Sequence, residues 1–254
     1  MIAELTQRER AILDRLSADG SVSVGPLARD LGLSAVTIRG DLNVLQKKGW
    51  INRTRGGAAP ALHRDILERQ RLYPEKKNAI ARAAAELVRD GDVIMIEAGT
   101  TTALIARYLA GKQDIHIVTN STLVFSYARM YPHLQITMTG GEFRRATESL
   151  VGPIALETIS RLNVRLAFVG TDGFSLERGM TTHLMEGAEI VKAMKSHAQT
   201  TVLTADSGKY GKSGFSHVLP LSAMDIILSD AGLGGKAEAE LREAGIQIKI
   251  AGGI

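Results

Sequence analysis

From residue 79 onward, short apolar runs and helical patterns alternate, and this rhythm limits the fold more than any other feature of the chain. The runs are Val93–Glu97, Ile115–Thr119, Gln135–Met138, Leu166–Val169, Thr201–Leu203 and Asp225–Leu228. Ile246–Ile250 adds one more, with isoleucine at every second position. Most are rich in Ile, Val and Leu, as strands buried on both faces are. Helical spacings lie between most of them, for example Ala79–Arg89 and Thr102–Ala110. This alternation predicts an α/β fold, an open and mostly parallel sheet with helices on its faces, over residues 79–254.

The strand ends share a chemistry. VIMI runs into EAGTT, IHIV into TNST, QITM into TGGE, LAFV into GTDG, TVLT into ADSGK and DIIL into SD. In open α/β sheets ligands bind beyond the carboxyl ends of the strands, so parallel strands would bring these loops to one edge. The candidate effector-binding residues are Glu97, Gly99, Thr100 and Thr101, then Thr119, Asn120 and Ser121, then Gly140 and Gly141. Gly170, Thr171, Asp172, Gly173, Thr181, Thr182, Lys192 and Lys209 complete the set. Gly99 to Thr102 offer hydroxyls and backbone N–H groups at a helix start, where the dipole favours an anion. Asn120, Ser121, Asp172, Thr181 and Thr182 can bond sugar hydroxyls, and Lys192 and Lys209 can neutralise a phosphate. A small phosphorylated sugar fits this mixture. The plainer readings are that Lys192 lies on a solvated helix face and that Asp206 only caps a turn.

Residues 1–59 have a different rhythm, of helices and turns. Leu5, Ile12, Leu13 and Leu16 recur at helical spacing, and a short second helix carries Leu27, Ala28 and Leu31 with Pro26 in its first turn. Ser34 is a good N-cap for a third helix over about residues 35–48. On that helix Ile38, Leu42 and Leu45 share one face, while Val36, Gly40, Asn43 and Lys47 share the other, flanked by Thr37 and Arg39. Two short helices before a half-polar third make a helix-turn-helix, whose last helix enters the major groove. Arg53, Arg55 and Gly56 follow in a stretch that reads as a small β wing, with both arginines on one side for a phosphate or a narrow minor groove. Trp50 reads as a packing residue. An ordinary three-helix bundle with a solvated face is the alternative.

Charge supports the nucleic-acid reading. Residues 1–60 hold nine Lys/Arg and six Asp/Glu, so most of the net charge of +4 sits at the front. Residues 60–78, PALHRDILERQRLYPEKKN, are polar and read as a linker, hinge or dimer-contact element. Cysteine is absent and the six histidines show no zinc-like pairing, so no metal or cofactor is expected. The charged N-terminus lacks a signal-peptide core and no run approaches roughly 18 apolar residues, so a cytoplasmic protein without membrane contact is expected.

The ordered pieces VTIRGDLNVLQKKGWINRTRGGA, AGTT, TNS, TGGEFR, FVGTDG, TADSGKYG and LSDAG span nearly the whole chain. Together they resemble the DeoR family of bacterial sugar-metabolism regulators. The resemblance implies a winged helix-turn-helix that binds operator DNA through Ser34, Val36, Thr37, Arg39, Gly40, Asn43, Lys47, Arg53, Arg55 and Gly56. It also implies a sensor domain similar to sugar-phosphate isomerases and CoA transferases in fold, usually responsive to a phosphorylated sugar. Two positions depart from the family pattern: Gly40 stands where a second arginine is usual, and Glu97 where aspartate is usual. The expected function is repression of a sugar-catabolism operon by a homodimer or homotetramer. The alternative is an isomerase-like enzyme using Glu97, Glu142, Asp172, Asp206 or Glu189 for proton transfer. A DNA-reading module fused to a sugar pocket makes better sense as a switch than as an enzyme.

Overall fold

The computed structural model describes residues 5–252, and the chain forms two compact units, Met1–Arg69 and Gln70–Ile254. In the first, α1 (Gln7–Asp19) starts at a capping box: the Thr6 hydroxyl accepts from the Glu9 N–H, and Glu9 accepts from the Thr6 N–H at 2.7 Å. Gly20, with φ 75°, ends the helix. After β1 (Val22–Ser23) come α2 (Val24–Asp30) and α3 (Ala35–Lys47), where the Ser34 side chain caps the Thr37 N–H at 3.0 Å. Ile12, Leu13, Leu16, Leu27, Ile38, Leu42 and Leu45 are fully buried and make the core, with Trp50 packed beside them. Two ion pairs tie α1 to α3 and its C-cap: Arg8 to Asp41 at 2.7 Å, and Glu9 to Lys48 at 2.8 Å. Burial alone would raise the Glu9 pKa, but bonds from Lys48 and the Thr6 N–H hold it below the usual range.

A hairpin of β2 (Ile51–Thr54) and β3 (Gly57–Pro60) completes a three-stranded sheet in the order β1-β3-β2. A Cβ on Gly57 would lie 2.2 Å from the Val22 carbonyl oxygen, so only glycine lets β3 approach β1 here. The polar segment 60–78 is largely helical, unlike the linker read from its composition. It contains α4 (Arg64–Arg71) and the start of α5 (Pro74–Glu86). Among the described residues of α4, Ile66 and Leu67 are buried, and Leu67 joins the first unit's core; two apolar positions in eight left the periodicity too weak to read.

In the second unit all seven apolar runs are strands of one parallel sheet. These are β4 (Val93–Ile96), β5 (His116–Thr119), β6 (Gln135–Met138), β9 (Val164–Val169), β12 (Ala198–Thr204), β14 (Ile226–Asp230) and β15 (Ile248–Ala251). Their order is β15-β14-β12-β9-β4-β5-β6, and every pairing is parallel. The chain builds outward from β4 to β5 and β6, then returns to the other side of β4 and builds through β9, β12, β14 and β15. The order therefore reverses between β4 and β9, which makes that gap the topological switch point.

Helices α6 (Thr102–Ile105), α7 (Thr122–Ala128), α8 (Pro153–Ser160), α9 (Met185–Ser196) and α10 (Gly235–Glu243) lie between strands. Two departures concern helix ends. The helix expected over Thr102–Ala110 is one α turn followed by a 3-10 turn, Ala106–Tyr108. The helix expected over Ala79–Arg89 begins earlier, at Pro74, where proline suits the first turn. It stops at Glu86, and the Asp92 carboxylate takes the Arg89 N–H at 2.6 Å. Five short strands were not visible in the sequence. They are the hairpin β7 (Glu142–Arg144) and β8 (Ser149–Val151), and the antiparallel sheet of β10 (Gly173–Ser175), β11 (Gly179–Thr182) and β13 (Ser216–His217). Among the described residues no helix is long and apolar enough to cross a membrane.

Candidate DNA-reading surface and effector site

The third helix divides as its spacing requires. Ile38, Leu42 and Leu45 are fully buried, while Ser34, Val36, Arg39, Gly40, Asn43 and Lys47 are exposed and Thr37 is half-buried. Val36 is 76% exposed, an apolar side chain in the first turn of a helix whose N-terminal residues would lie nearest the base edges. Gly40 has open space where a Cβ would be.

The wing departs from its reading. Arg53 shares the pleat face of Ile51, which is buried, and its half-buried side chain turns towards the helix. Its Nε donates to the Gly57 carbonyl at 3.1 Å and its Nη1 to Asn43 Oδ1 at 2.8 Å. Arg55 lies beyond the strand, in the turn with Gly56 (φ 82°), and both are exposed. The alternation that put both arginines on one side fails because β2 ends at Thr54.

In the second unit the strand-end loops meet at one edge, joined by hydrogen bonds. The Ala98 N–H donates to Asn120 Oδ1 at 3.0 Å, linking the β4 and β5 loops. The Gly170 N–H donates to Glu97 Oε2 at 3.0 Å, across the switch point between β4 and β9. Lys209 Nζ donates to the Thr171 carbonyl, linking β9 to β12. The Ser207 N–H donates to Asp230 Oδ2 at 2.7 Å, linking β12 to β14. Gly99, Thr100, Gly170, Asp172 and Lys209 keep partial solvent access along this edge. The Thr101 hydroxyl is buried and has no hydrogen-bond partner among the described residues.

Several of the expected sugar ligands already bond within the protein. Thr119 Oγ1 donates to the Ile96 carbonyl at 2.6 Å and accepts from the Ser121 N–H. Asn120 Nδ2 donates to the Leu150 carbonyl, and the Ser121 side chain caps α7 through the Val124 N–H. Thr181 lies within β11, not in a loop; its hydroxyl donates to the Gly173 carbonyl and accepts from the Gly214 N–H. Thr182 donates to Asp172 at 3.0 Å, and the His183 N–H donates to the same oxygen. A Cβ on Gly141 would lie 2.4 Å from the Val151 carbonyl oxygen, so only glycine fits beside β8 there; its neighbour Gly140 is partly accessible.

Lys192 does not join the cluster. It pairs with Glu189 at 2.8 Å on its own helix, and one turn later Lys195 meets Asp225 before β14. A crossover helix runs against its strands, so this end of α9 leads to the amino edge of the sheet.

Sequence reading missed Lys76. From the first turn of α5 it reaches Ser207 Oγ at 2.8 Å and Asp230 Oδ1 at 3.3 Å, beside the Tyr73 ring. Burial alone would raise the Asp230 pKa. Bonds from the Ser207 and Gly232 N–H groups and the Ser207 hydroxyl, with the Lys76 charge, outweigh it and hold the carboxyl below the usual range. Proline immediately before EKKN was the available signal, because proline marks the first turn of a helix. Arg144 was also missed as a link: it joins Glu142 on β7 to Glu186 at the start of α9, both at 3.1 Å.

Residues 8–61 match the model of the DeoR-like helix-turn-helix domain, and residues 73–231 match that of the DeoR C terminal sensor domain. The chain belongs to the DeoR family. It is 34% identical over 249 residues to the HTH-type transcriptional regulator GlpR of Haloferax volcanii, covering 95% of this chain and 96% of that one. It is 31% identical over 230 residues to the HTH-type transcriptional repressor GlcR of Bacillus subtilis, covering 88% of each. Ribose 5-phosphate isomerase A from Neisseria gonorrhoeae overlays with a TM-score of 0.39 and 20% identity, over 54% of this chain and 53% of that one; a likeness so loose has no bearing on chemistry. In this DeoR-family regulator the two departures now have surroundings. Gly40 leaves a bare patch on the exposed face of α3, and Glu97 spans the switch point to Gly170.

Proposed function

We propose that this DeoR-family regulator represses a sugar-catabolism operon and is released from its operator by a phosphorylated sugar bound at the carboxyl edge of the sensor sheet. The observation that carries the reading is the set of strand-end loops joined at one edge, with the switch point in their midst. The β4 loop offers the Gly99 and Thr100 backbone together with the Thr101 hydroxyl, whose burial without a partner leaves it a bond to make. Lys209 supplies positive charge from the β12 loop, where its ammonium meets the β9 loop.

The carboxylates favour detection over turnover. Asp172 serves Thr182 and His183, Asp206 caps the Gly208 N–H, and Asp230 serves Ser207, Gly232 and Lys76. Glu97 bridges two loops. Proton transfer at a sugar carbon needs a carboxylate aimed at that carbon, and these are engaged in holding the loops. Helix-turn-helix proteins bind spaced half-sites as dimers, which suits a homodimer or a homotetramer built from such pairs.

A thermal-shift screen with sugar phosphates, the corresponding free sugars and inorganic phosphate tests the proposal. At least one sugar phosphate is expected to raise the midpoint of the wild type, while its free sugar does not and Lys209→Met loses most of the shift. Stabilisation by unphosphorylated sugars alone, or interconversion of sugar phosphates by the purified protein, would overturn it.

A further inference from the structure

We infer that Arg53 is a positioning residue that sets which base Asn43 selects. The inference rests on α3 being the DNA-reading helix. Asn43 is exposed on the outward face of α3, one turn beyond Arg39. An asparagine in the major groove ordinarily pairs with adenine, its carbonyl accepting from N6 and its amide donating to N7. That pairing needs both amide atoms turned to the base together.

Here the carbonyl has another partner. Arg53 Nη1 lies 2.8 Å from Asn43 Oδ1, while its Nε bonds the Gly57 carbonyl at 3.1 Å. Guanidinium only donates, so the asparagine atom facing it must be the oxygen. The planar fork is anchored on the wing backbone at one end and holds the amide at the other. The Asn43 oxygen is thus turned to the wing, and the NH2 group is the part left for DNA. A lone donor suits guanine, which presents two acceptors, N7 and O6, and no donor of its own in the major groove. Adenine's N6 amino group would meet that NH2 with no acceptor opposite it.

The test uses the full-length protein and a duplex pool randomised over the bound site, selected at one salt concentration. The recovered sequences are counted for wild type, R39A, N43A and R53A. One base pair is expected at which wild type recovers guanine over adenine and N43A recovers all four bases about equally. At that pair the guanine-to-adenine ratio of R53A should be about fivefold lower, the low end of what one base contact carries. Recovery of adenine by wild type at the pair that N43A flattens would overturn the inference. So would an R53A variant that weakens every duplex but leaves the ratio unchanged. If R39A alters the selected bases and N43A alters none, the inference fails while the reading helix stands; if neither alters them, the assignment of α3 itself fails. Should R53A not unfold cooperatively, R53K gives the same ratio a second test. A single ammonium keeps the charge but cannot hold both oxygens in one plane, and an unchanged ratio there would also overturn the inference.

Discussion

Leu42→Ala is expected to lower the urea midpoint of Trp50 fluorescence by about 2 M or more. Leu42 is fully buried in the core that packs α3 against α1 and α2. Removing a buried leucine side chain costs about 2–5 kcal/mol, and a unit this small loses about 1 kcal/mol per molar urea. Small domains bury a small share of their surface, so the loss approaches their whole stability. Trp50 is the chain's one tryptophan and belongs to this same core, so its emission reports the first unit by itself. Val44→Ala, on the same helix but 43% exposed, is the control and should move the midpoint little. Equal midpoints for the two variants would mean that α3 does not use the Ile38–Leu42–Leu45 face for packing.

Arg39→Ala is expected to weaken binding to a selected operator duplex roughly ten- to a hundredfold, the range of a lost base contact. Its neighbour on the exposed face, Gly40, has no side chain to share the work, and Arg53 is committed to Asn43 and Gly57. Arg39 itself is exposed, so its removal should leave the urea midpoint of Trp50 in place. Anisotropy titrations on selected and scrambled duplexes separate its possible roles. A larger loss on the selected duplex marks base reading. An equal loss on both, with the salt slope falling by about one, marks a phosphate contact. Unchanged affinity at moderate salt would remove Arg39 from the interface.

The parts of this molecule that were legible are those where one periodicity dominates. The central sheet strands were readable because burial on both faces favours Val, Ile and Leu, and β15 at the edge because isoleucine recurs at every second position. The faces of α3 were readable because Ile38, Leu42 and Leu45 repeat at helical spacing. Helix α4 was hidden because two buried residues among charged ones leave hardly any pattern. Strands such as β10 and β11 were hidden because each has only three or four residues and opens on glycine, so the bonds that Thr181 makes inside that small sheet were not foreseen.

At the candidate site, composition identified the edge but not the allegiance of each group. Thr119, Asn120 and Ser121 have the chemistry of sugar ligands, yet they bond the backbone of β4, of β8 and of the first turn of α7. The Thr119 and Asn120 bonds join residues 23 and 30 positions apart, and no local spacing encodes them; the Ser121 cap is local and competes with a ligand for the same oxygen. Lys192 failed for a related reason: the direction of a crossover helix decides which sheet edge its ends approach. Arg53 shows the same limit on a smaller scale, because where β2 stops, and not the alternation itself, decides which arginine faces outward.

Communication between ligand and DNA is the central claim, and one titration meets it directly. Operator affinity is measured with and without a saturating sugar phosphate found to stabilise the protein, and the ligand's affinity is then measured with and without operator. The account predicts that the ligand weakens DNA binding by about 5–150-fold and that operator weakens the ligand by the same factor, since linkage is reciprocal. Operator affinity that stays constant at saturating ligand would contradict it.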